Sequence, residues 1–301
     1  MTTFLTPVDL GLAPEPSTAR RKDPPAVHVR VRLDSQLRAL LEYESGTRSG
    51  LDPEDLHQMR VAVRRLRAAI NAEGAGLGDA AEHLQTELKW LGNVLGPVRD
   101  LDVQLDRLRA EAALFEDDER AAVERLLAGL IAERKTARRR MLAALRSKRY
   151  TALLAALAAA ANSEPGATNS KRATAMTDVI LKPYRKLRKA VAALGEDPPD
   201  DDLHALRIKG KRLRYAAELV GRPANDLVKA TKGFQEVLGE HQDAAVAEET
   251  IRRLLVEHED PEVIFVAGRL VEREHARRLA FRAQWRDKWA AVDEFSETLG
   301  R

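Results

Sequence analysis

The chain has 301 residues, of which 44% are hydrophobic, 32% charged and only 4% aromatic. Abundant Ala, Leu, Arg and Glu with so few aromatics suit long helices and argue against a sheet-rich fold, and the absence of cysteine excludes disulfides and thiolate metal sites. The net charge of +3 is too small for a general polycation, so affinity for anions would have to come from local segregation of charge.

Residues 1–25 carry Pro7, Pro14, Pro16, Pro24 and Pro25 with little apolar periodicity, and are expected to form a flexible tail. They show no basic start followed by an apolar core, so no signal peptide is read there. No run of about 18 apolar residues follows anywhere in the chain. A soluble cytoplasmic protein is the expectation.

Helical patterns then run almost without interruption. The first covers about 26–45. The second starts at Asp52-Pro53, an N-cap followed by proline at the first helical position, and stops near Gly74, Gly76 and Gly78. A third spans about 79–95 and is expected to end at Gly96-Pro97, with a fourth to about 113. A long pattern fills 117–161, with a break near Ser147. Residues 162–170 (NSEPGATNS) form the clearest linker. Helical patterns resume at about 171–194, 199–220, 223–238, 240–257 and 261–299.

The two sides of the linker resemble each other. LHQMRVAVRRLRAAI (56–70) aligns with LHALRIKGKRLRYAA (203–217), and KWLGNVLGPVRDLDV (89–103) with KGFQEVLGEHQDAAV (232–246). Two motifs in the same order, about 145 residues apart, indicate an internal duplication. The expected architecture is all-α: two pseudo-twofold-related four-helix-bundle halves, 26–161 and 171–299, forming one domain with a central basic groove.

On a helical wheel, His57, Arg60, Arg64 and Arg67 fall within an arc of roughly 80°. Leu56, Met59, Val63, Leu66 and Ile70 form an apolar arc beside it. The second copy repeats the picture with His204, Arg207, Lys211 and Arg214 beside Leu203, Leu206 and Leu213. The stripe flanks the core instead of opposing it, so it is expected to line a groove. Like charges gathered there repel one another and resist desolvation. A polyanion relieves both, since Arg offers a planar fork to phosphate oxygens and Lys a point charge. A solvated face with acids three or four residues away is the ordinary alternative, but neither block has interleaved acids; Glu218, four residues after Arg214, is suited to an ion pair with it.

These stripes and the two LG…D segments resemble the CHAD family, the conserved histidine α-helical domain, over roughly residues 27–299. The resemblance implies two helical-bundle halves around a basic surface that binds inorganic polyphosphate, and in some members association with polyphosphate granules. The implied ligand positions are His57, Arg60, Arg64, Arg67, Lys89, His204, Arg207, Lys211, Arg214 and Lys232. Arg65 and Arg212 also match the motif but lie about 80° off the stripe. Members of the family can carry a triphosphate-tunnel (CYTH) domain ahead of the CHAD region. It would need alternating Glu residues on a strand, which residues 1–26 do not supply, so a stand-alone member is expected.

Further cations are weaker candidates. Lys182, Arg185, Lys186 and Lys189 share one face of the first helix after the linker, and Arg138, Arg139 and Arg140 point in several directions. Asp100 and Asp243 are read as capping a helix or holding a groove arginine. Gly96 and Gly239 are read as helix ends. His83, His241, His258 and His275 have no duplicated partner and are read as ordinary helix residues. No metal or cofactor is expected, since a cation site does not surround itself with arginines. Nucleic acid is disfavoured, because Tyr215 is the main aromatic near the stripes. Catalysis is not expected, as no carboxylate set faces them.

Overall fold

A computed structural model describes residues 4–20, 23, 25–73, 77, 79–163, 176–220, 224–256 and 258–298. Among them ten helices and no strand are found: α1 (Pro25–Ser49), α2 (Pro53–Glu73), α3 (Asp79–Ala112), α4 (Asp117–Leu145), α5 (Lys148–Asn162), α6 (Met176–Ala192), α7 (Asp200–Val220), α8 (Asn225–Leu255), α9 (Pro261–Arg282) and α10 (Trp285–Thr298). The all-α expectation holds. The duplicated motifs place α2 and α3 opposite α7 and α8, so each copy contributes five helices in the same order. The fifth arises because the long patterns 117–161 and 261–299 each break once. Ser147 caps α5 by accepting from the Tyr150 N–H, and the second break falls at Ala283 and Gln284.

Local chemistry accounts for several boundaries. Asp52 Oδ1 accepts the Glu54 N–H at 2.8 Å, the side-chain cap expected ahead of Pro53. Asp260 does the same for α9 through the Glu262 N–H at 3.0 Å, followed by Pro261. α1 ends at Gly50, whose φ of +70° suits the left-handed exit and whose N–H bonds Gly46 O at 2.8 Å. Arg138 Nη2 then donates to the free carbonyls of Arg48 and Ser49, both at 2.8 Å.

Two expected stops are not stops. Gly96-Pro97 lies inside the continuous α3, and Gly239 lies inside α8. Pro97 is exposed, so the carbonyl it cannot pair with remains open to water. The glycines have a different use, described below.

The chain packs as two compact units: Met1–Asp106 with Gly129–Asn169, and Arg107–Ala128 with Ser170–Arg301. Residues 107–128, which chain order assigns to the first half, thus belong to the second unit. Their charges explain it. Arg107 makes a bidentate pair with Glu274 at 2.9 and 2.7 Å, and Glu274 is fully buried. Glu111 receives Arg273 at 2.8 Å and Arg277 at 3.2 Å, Glu119 receives Arg269, and Arg125 reaches Asp260 and Glu262. A buried carboxylate needs its partner, so this end of the α3–α4 hairpin follows α9. Of the segment 162–170, Asn162 ends α5 and Ser163 caps it, while 164–170 lie outside the described residues.

In the first unit Leu33, Leu37, Leu56, Met59, Leu66, Leu88 and Leu95 are among the residues that form the core. Residues expected as a free tail join it. Leu12 is only 4% exposed, Arg38 donates to the carbonyls of Ala13, Pro14 and Glu15, and Ser17 N–H bonds Asp34 at 2.8 Å. Proline-rich composition leaves backbone carbonyls without helix partners, and one guanidinium collects three of them.

The second unit has its own core, including Tyr184, Leu187, Leu203, Leu206, Leu213, Phe234 and Trp285. Here the two copies differ in a compensating way. Val63 of α2 corresponds to Gly210 of α7, and Leu91 of α3 to Phe234 of α8. A Cβ at Gly210 would stand 3.1 Å from the Phe234 ring. Gly210→Val should therefore cost about 1–3 kcal/mol in urea unfolding. Adding Phe234→Leu should recover most of it, and a double variant no better than the single would disprove this packing exchange.

Candidate functional site

The apolar arcs read from the wheels are the buried ones. Leu56, Met59, Val63, Leu66 and Ile70 of α2, and Leu203, Leu206 and Leu213 of α7, are all buried. The stripes follow at their edge. His57, Arg60 and Arg67 are half-buried and Arg64 exposed; His204, Arg207, Lys211 and Arg214 are all half-buried. Each unit thus carries its own set of cations at the margin of its own core.

The first arginine of each stripe lies against the glycine of the next motif. In the first unit Arg60 Nη1 donates to Gly96 O at 2.5 Å and to Asp100 Oδ1 at 2.9 Å. A Cβ at Gly96 would lie 3.7 Å from that nitrogen. In the second, a Cβ at Gly239 would lie 3.5 Å from Nε and Nη2 of Arg207, and Asp243 acts electrostatically on the same arginine. The guanidinium lies against the helix surface at the glycine, and the aspartate one turn later neutralises part of its charge. This tie between the HxxR and LG…D motifs was not legible in either alone. Their shared order in both copies was the available signal.

The two aspartates differ in setting. The Asp100 side chain is 64% exposed. Asp243 is more enclosed, and burial pushes its carboxyl above the usual range although Arg207, Arg107 and Lys211 pull it down. Arg107 is a cation of this cluster that sequence reading missed, because it comes from a segment assigned to the other half.

The histidines differ too. The imidazolium of His57 is disfavoured, first by desolvation and then by Arg99, Arg64 and Arg60, with Glu54 opposing. Arg99, also missed, stands where the second motif has Gln242. His204 Nδ1 lies 3.0 Å from Gln242 Oε1. That contact orients the His204 ring against α8.

Three stripe arginines hold a buried nitrogen that lacks a hydrogen-bond acceptor among the described residues: Nε of Arg67, Arg207 and Arg214. Arg214 Nε is 3.3 Å from Glu218 Oε1, the expected pair, without hydrogen-bonding geometry. Buried donors left this way are uncommon and call for a partner from solvent or ligand.

The remaining candidates are scattered. Lys89, Arg65 and Arg212 are exposed. Lys232 pairs loosely with Glu236 at 3.6 Å, both well exposed. Arg138 is committed to the α1 carbonyls already described. Lys182, Arg185 and Lys189 are exposed on α6. His241 is 1% exposed, with Nε2 3.2 Å from Asp200 Oδ1, so it is a core residue of the second unit. Among the described residues no group of three or more metal-ligating side chains is found, and no helix is long and apolar enough to cross a membrane.

The duplicated aspartates give a test. A carboxyl whose folded pKa is raised contributes stability below its unfolded pKa and loses it as pH rises through the folded value. Asp243→Asn should therefore gain stability relative to the parent protein between pH 4 and 7. Asp100→Asn removes an exposed ion pair and should cost less than about 1 kcal/mol at pH 7. Denaturant unfolding across that range checks both, and a relative loss for Asp243→Asn on raising pH would contradict its placement.

The comparisons agree with this arrangement. The family model for the CHAD domain matches residues 31–252. Two uncharacterized proteins of Mycobacterium tuberculosis, from different strains, are each 36% identical over 264 residues, covering 83% of this chain. The chain spans about half the length of these curated relatives, 50% in each case. Among solved structures, the CHAD domain from the plant Ricinus communis superposes with a TM-score of 0.63 at 26% identity, covering 95% of each chain. PptA from Streptomyces chartreusis superposes with a TM-score of 0.70, covering 89% of this chain and all of that one, and at 21% identity shows the shared fold. With two copies of the histidine–arginine stripe, each coupled to its glycine–aspartate motif, this chain belongs to the CHAD family.

Proposed function

We propose that this protein binds inorganic polyphosphate along its two duplicated stripes and does not catalyse its turnover. The observation that carries the reading is the duplicated row of half-buried and exposed cations at the edge of each core, Arg60, Arg64 and Arg67 in one unit and Arg207, Lys211 and Arg214 in the other. A chain of phosphates offers closely spaced anionic oxygens to such donors, and charge-assisted hydrogen bonds of this kind contribute about 1.5–3 kcal/mol each. Membership of the CHAD family supports the same ligand. A polyphosphate granule in the cytoplasm is the cellular setting that goes with this reading.

The acids near the stripes serve the cations. Asp100 holds Arg60, and Asp243 faces Arg207 and Lys211. Their engagement with cations favours binding over a role as general base.

A competition titration tests the reading. Labelled long-chain polyphosphate is bound to the protein and challenged with RNA and DNA while free phosphate is followed. Tight binding that resists nucleic acid, without phosphate release, is expected. Arg64→Glu combined with Lys211→Glu should weaken binding by roughly 100-fold or more, as two favourable contacts of about 1.5 kcal/mol are replaced by repulsion. Unchanged affinity in a variant with native circular dichroism would sink the assignment of the stripes, and released phosphate would make the protein an enzyme.

His57 gives an independent readout. In the free protein its midpoint should lie below about 6.5, so its neutral form contributes stability at pH 7 that is lost as pH falls through that midpoint. A bound polyanion reverses the local field. The His57 midpoint, followed by NMR, should move up on saturation with polyphosphate, and binding should tighten as pH falls from 7 to 6. A midpoint that does not move would show that the anion stays away from α2.

A further inference from the structure

Most arginines in this protein are matched. On α9 alone, Arg269, Arg273, Arg277, Arg278 and Arg282 each reach a carboxylate. The exposed face of α6 departs from that pattern, as do the exposed cations Lys135, Arg139 and Arg140 of α4. Residues 180–193 of α6 and its end (ILKPYRKLRKAVAA) contain five cations and no acid. Lys182, Arg185, Lys186 and Lys189 are all exposed, and none makes an ion pair with another described residue. Arg188 is drawn aside, its guanidinium 5.5 Å from the Tyr184 ring.

The four cations stand roughly opposite the buried arc of Ile180, Tyr184, Leu187 and Val191 on the helical wheel. Spacings of three and four residues make them mutual neighbours, and each such like-charge pair disfavours the helix. The corresponding helix of the first unit, α1, shows the contrast. It carries Asp34 and Glu44, which pair with Arg38 and Arg48 at 3.0 and 2.5 Å, and residues 12–17 lie over it. The exposed face of α6 therefore differs from that of α1, its counterpart in the first unit.

We infer that the outer face of α6 is a second docking surface for polyphosphate, engaged only by chains long enough to extend past the α7 stripe. The inference rests on the polyphosphate reading given above. Charge complementarity selects an anionic chain. The apolar side of α6 is buried in the unit core, so it cannot enter a bilayer. Tyr184 is buried and stacks on Trp289 at 6.4 Å, so no ring on this face is offered to a base. α6 packs beside α7 in the same unit, and neighbouring helices lie about 8–10 Å apart. A chain held by the stripe would thus meet α6 at high effective concentration, whereas a short oligophosphate could not reach both.

The test compares long-chain polyphosphate with tripolyphosphate on three full-length proteins: the parent, Lys182→Ala/Arg185→Ala/Lys186→Ala/Lys189→Ala, and the Arg64→Glu/Lys211→Glu variant. The α6 variant should bind the long chain at least about tenfold more weakly and with a shallower salt dependence, and tripolyphosphate as the parent does. Unchanged long-chain affinity would show the face to be merely solvated, and equal losses for both ligands would show it to be part of the stripe site; either result overturns the inference while leaving polyphosphate binding intact. A parent protein that binds neither ligand would instead remove the underlying reading, and this inference with it. A conservative set, Lys182→Arg/Lys186→Arg/Lys189→Arg, should restore long-chain affinity, separating loss of charge from loss of fold.

Discussion

An arginine resting on a bare helix backbone organises each half of this protein. Arg60 reaches from α2 to the Gly96 carbonyl and the Asp100 carboxylate of α3, and Arg207 lies against Gly239 of α8 with Asp243 nearby. A guanidinium at the edge of an apolar core must be satisfied or it opposes folding. The glycine gives it access and the aspartate part of its counter-charge. In the first unit this ties Arg60 down, whereas in the second Arg207 keeps a buried Nε without an acceptor among the described residues. The long uninterrupted α3 and α8 follow from the same need, since the glycine and the aspartate must lie on one face, one turn apart.

Charge in this molecule is sorted by use. Carboxylates that are buried or half-buried, such as Glu274, Glu44 and Asp102, each hold an arginine. The Glu274 and Asp102 pairs join elements distant in sequence, and breaking any of the three would leave an uncompensated buried charge. The cations of the stripes and of α6 are treated differently. They have few acids within reach, and several buried nitrogens among them lack acceptors. A net charge of only +3 therefore conceals regions of strongly positive character.

Duplication has produced two copies that are alike in plan and unlike in detail. The pair Val63 and Leu91 becomes Gly210 and Phe234, keeping the local volume while exchanging which helix supplies it. Arg99 beside His57 becomes Gln242 beside His204, so the protonated form of one imidazole is disfavoured by burial and then by positive neighbours, and the other is oriented by a hydrogen bond. The acid-bearing α1, covered by residues 12–17, has as its counterpart the open and basic α6. The two halves thus differ in the surroundings of their histidines and in the charge of their first helices, although both use one motif.

Periodicity made the helices and their buried arcs legible in the sequence, because apolar spacing near 3.6 residues translates directly into one face of a helix. Repetition of HxxR and LG…D revealed the duplication, and Asp52-Pro53 and Ser147 marked boundaries through local capping that depends only on neighbours. What tertiary structure alone decided were the contacts between residues distant along the chain. Gly96 and Gly239 looked like helix stops because glycine usually is one; they are interior positions of α3 and α8, each with a guanidinium from another helix lying beside it. Proline-rich residues 12–17 looked free, yet Arg38 gathers their carbonyls. Residues 107–128 pack away from the half that chain order gives them, because a buried Glu274 requires Arg107. In each case the deciding term is the satisfaction of a buried charge or carbonyl by a partner tens of residues away, which spacing within one helix cannot encode.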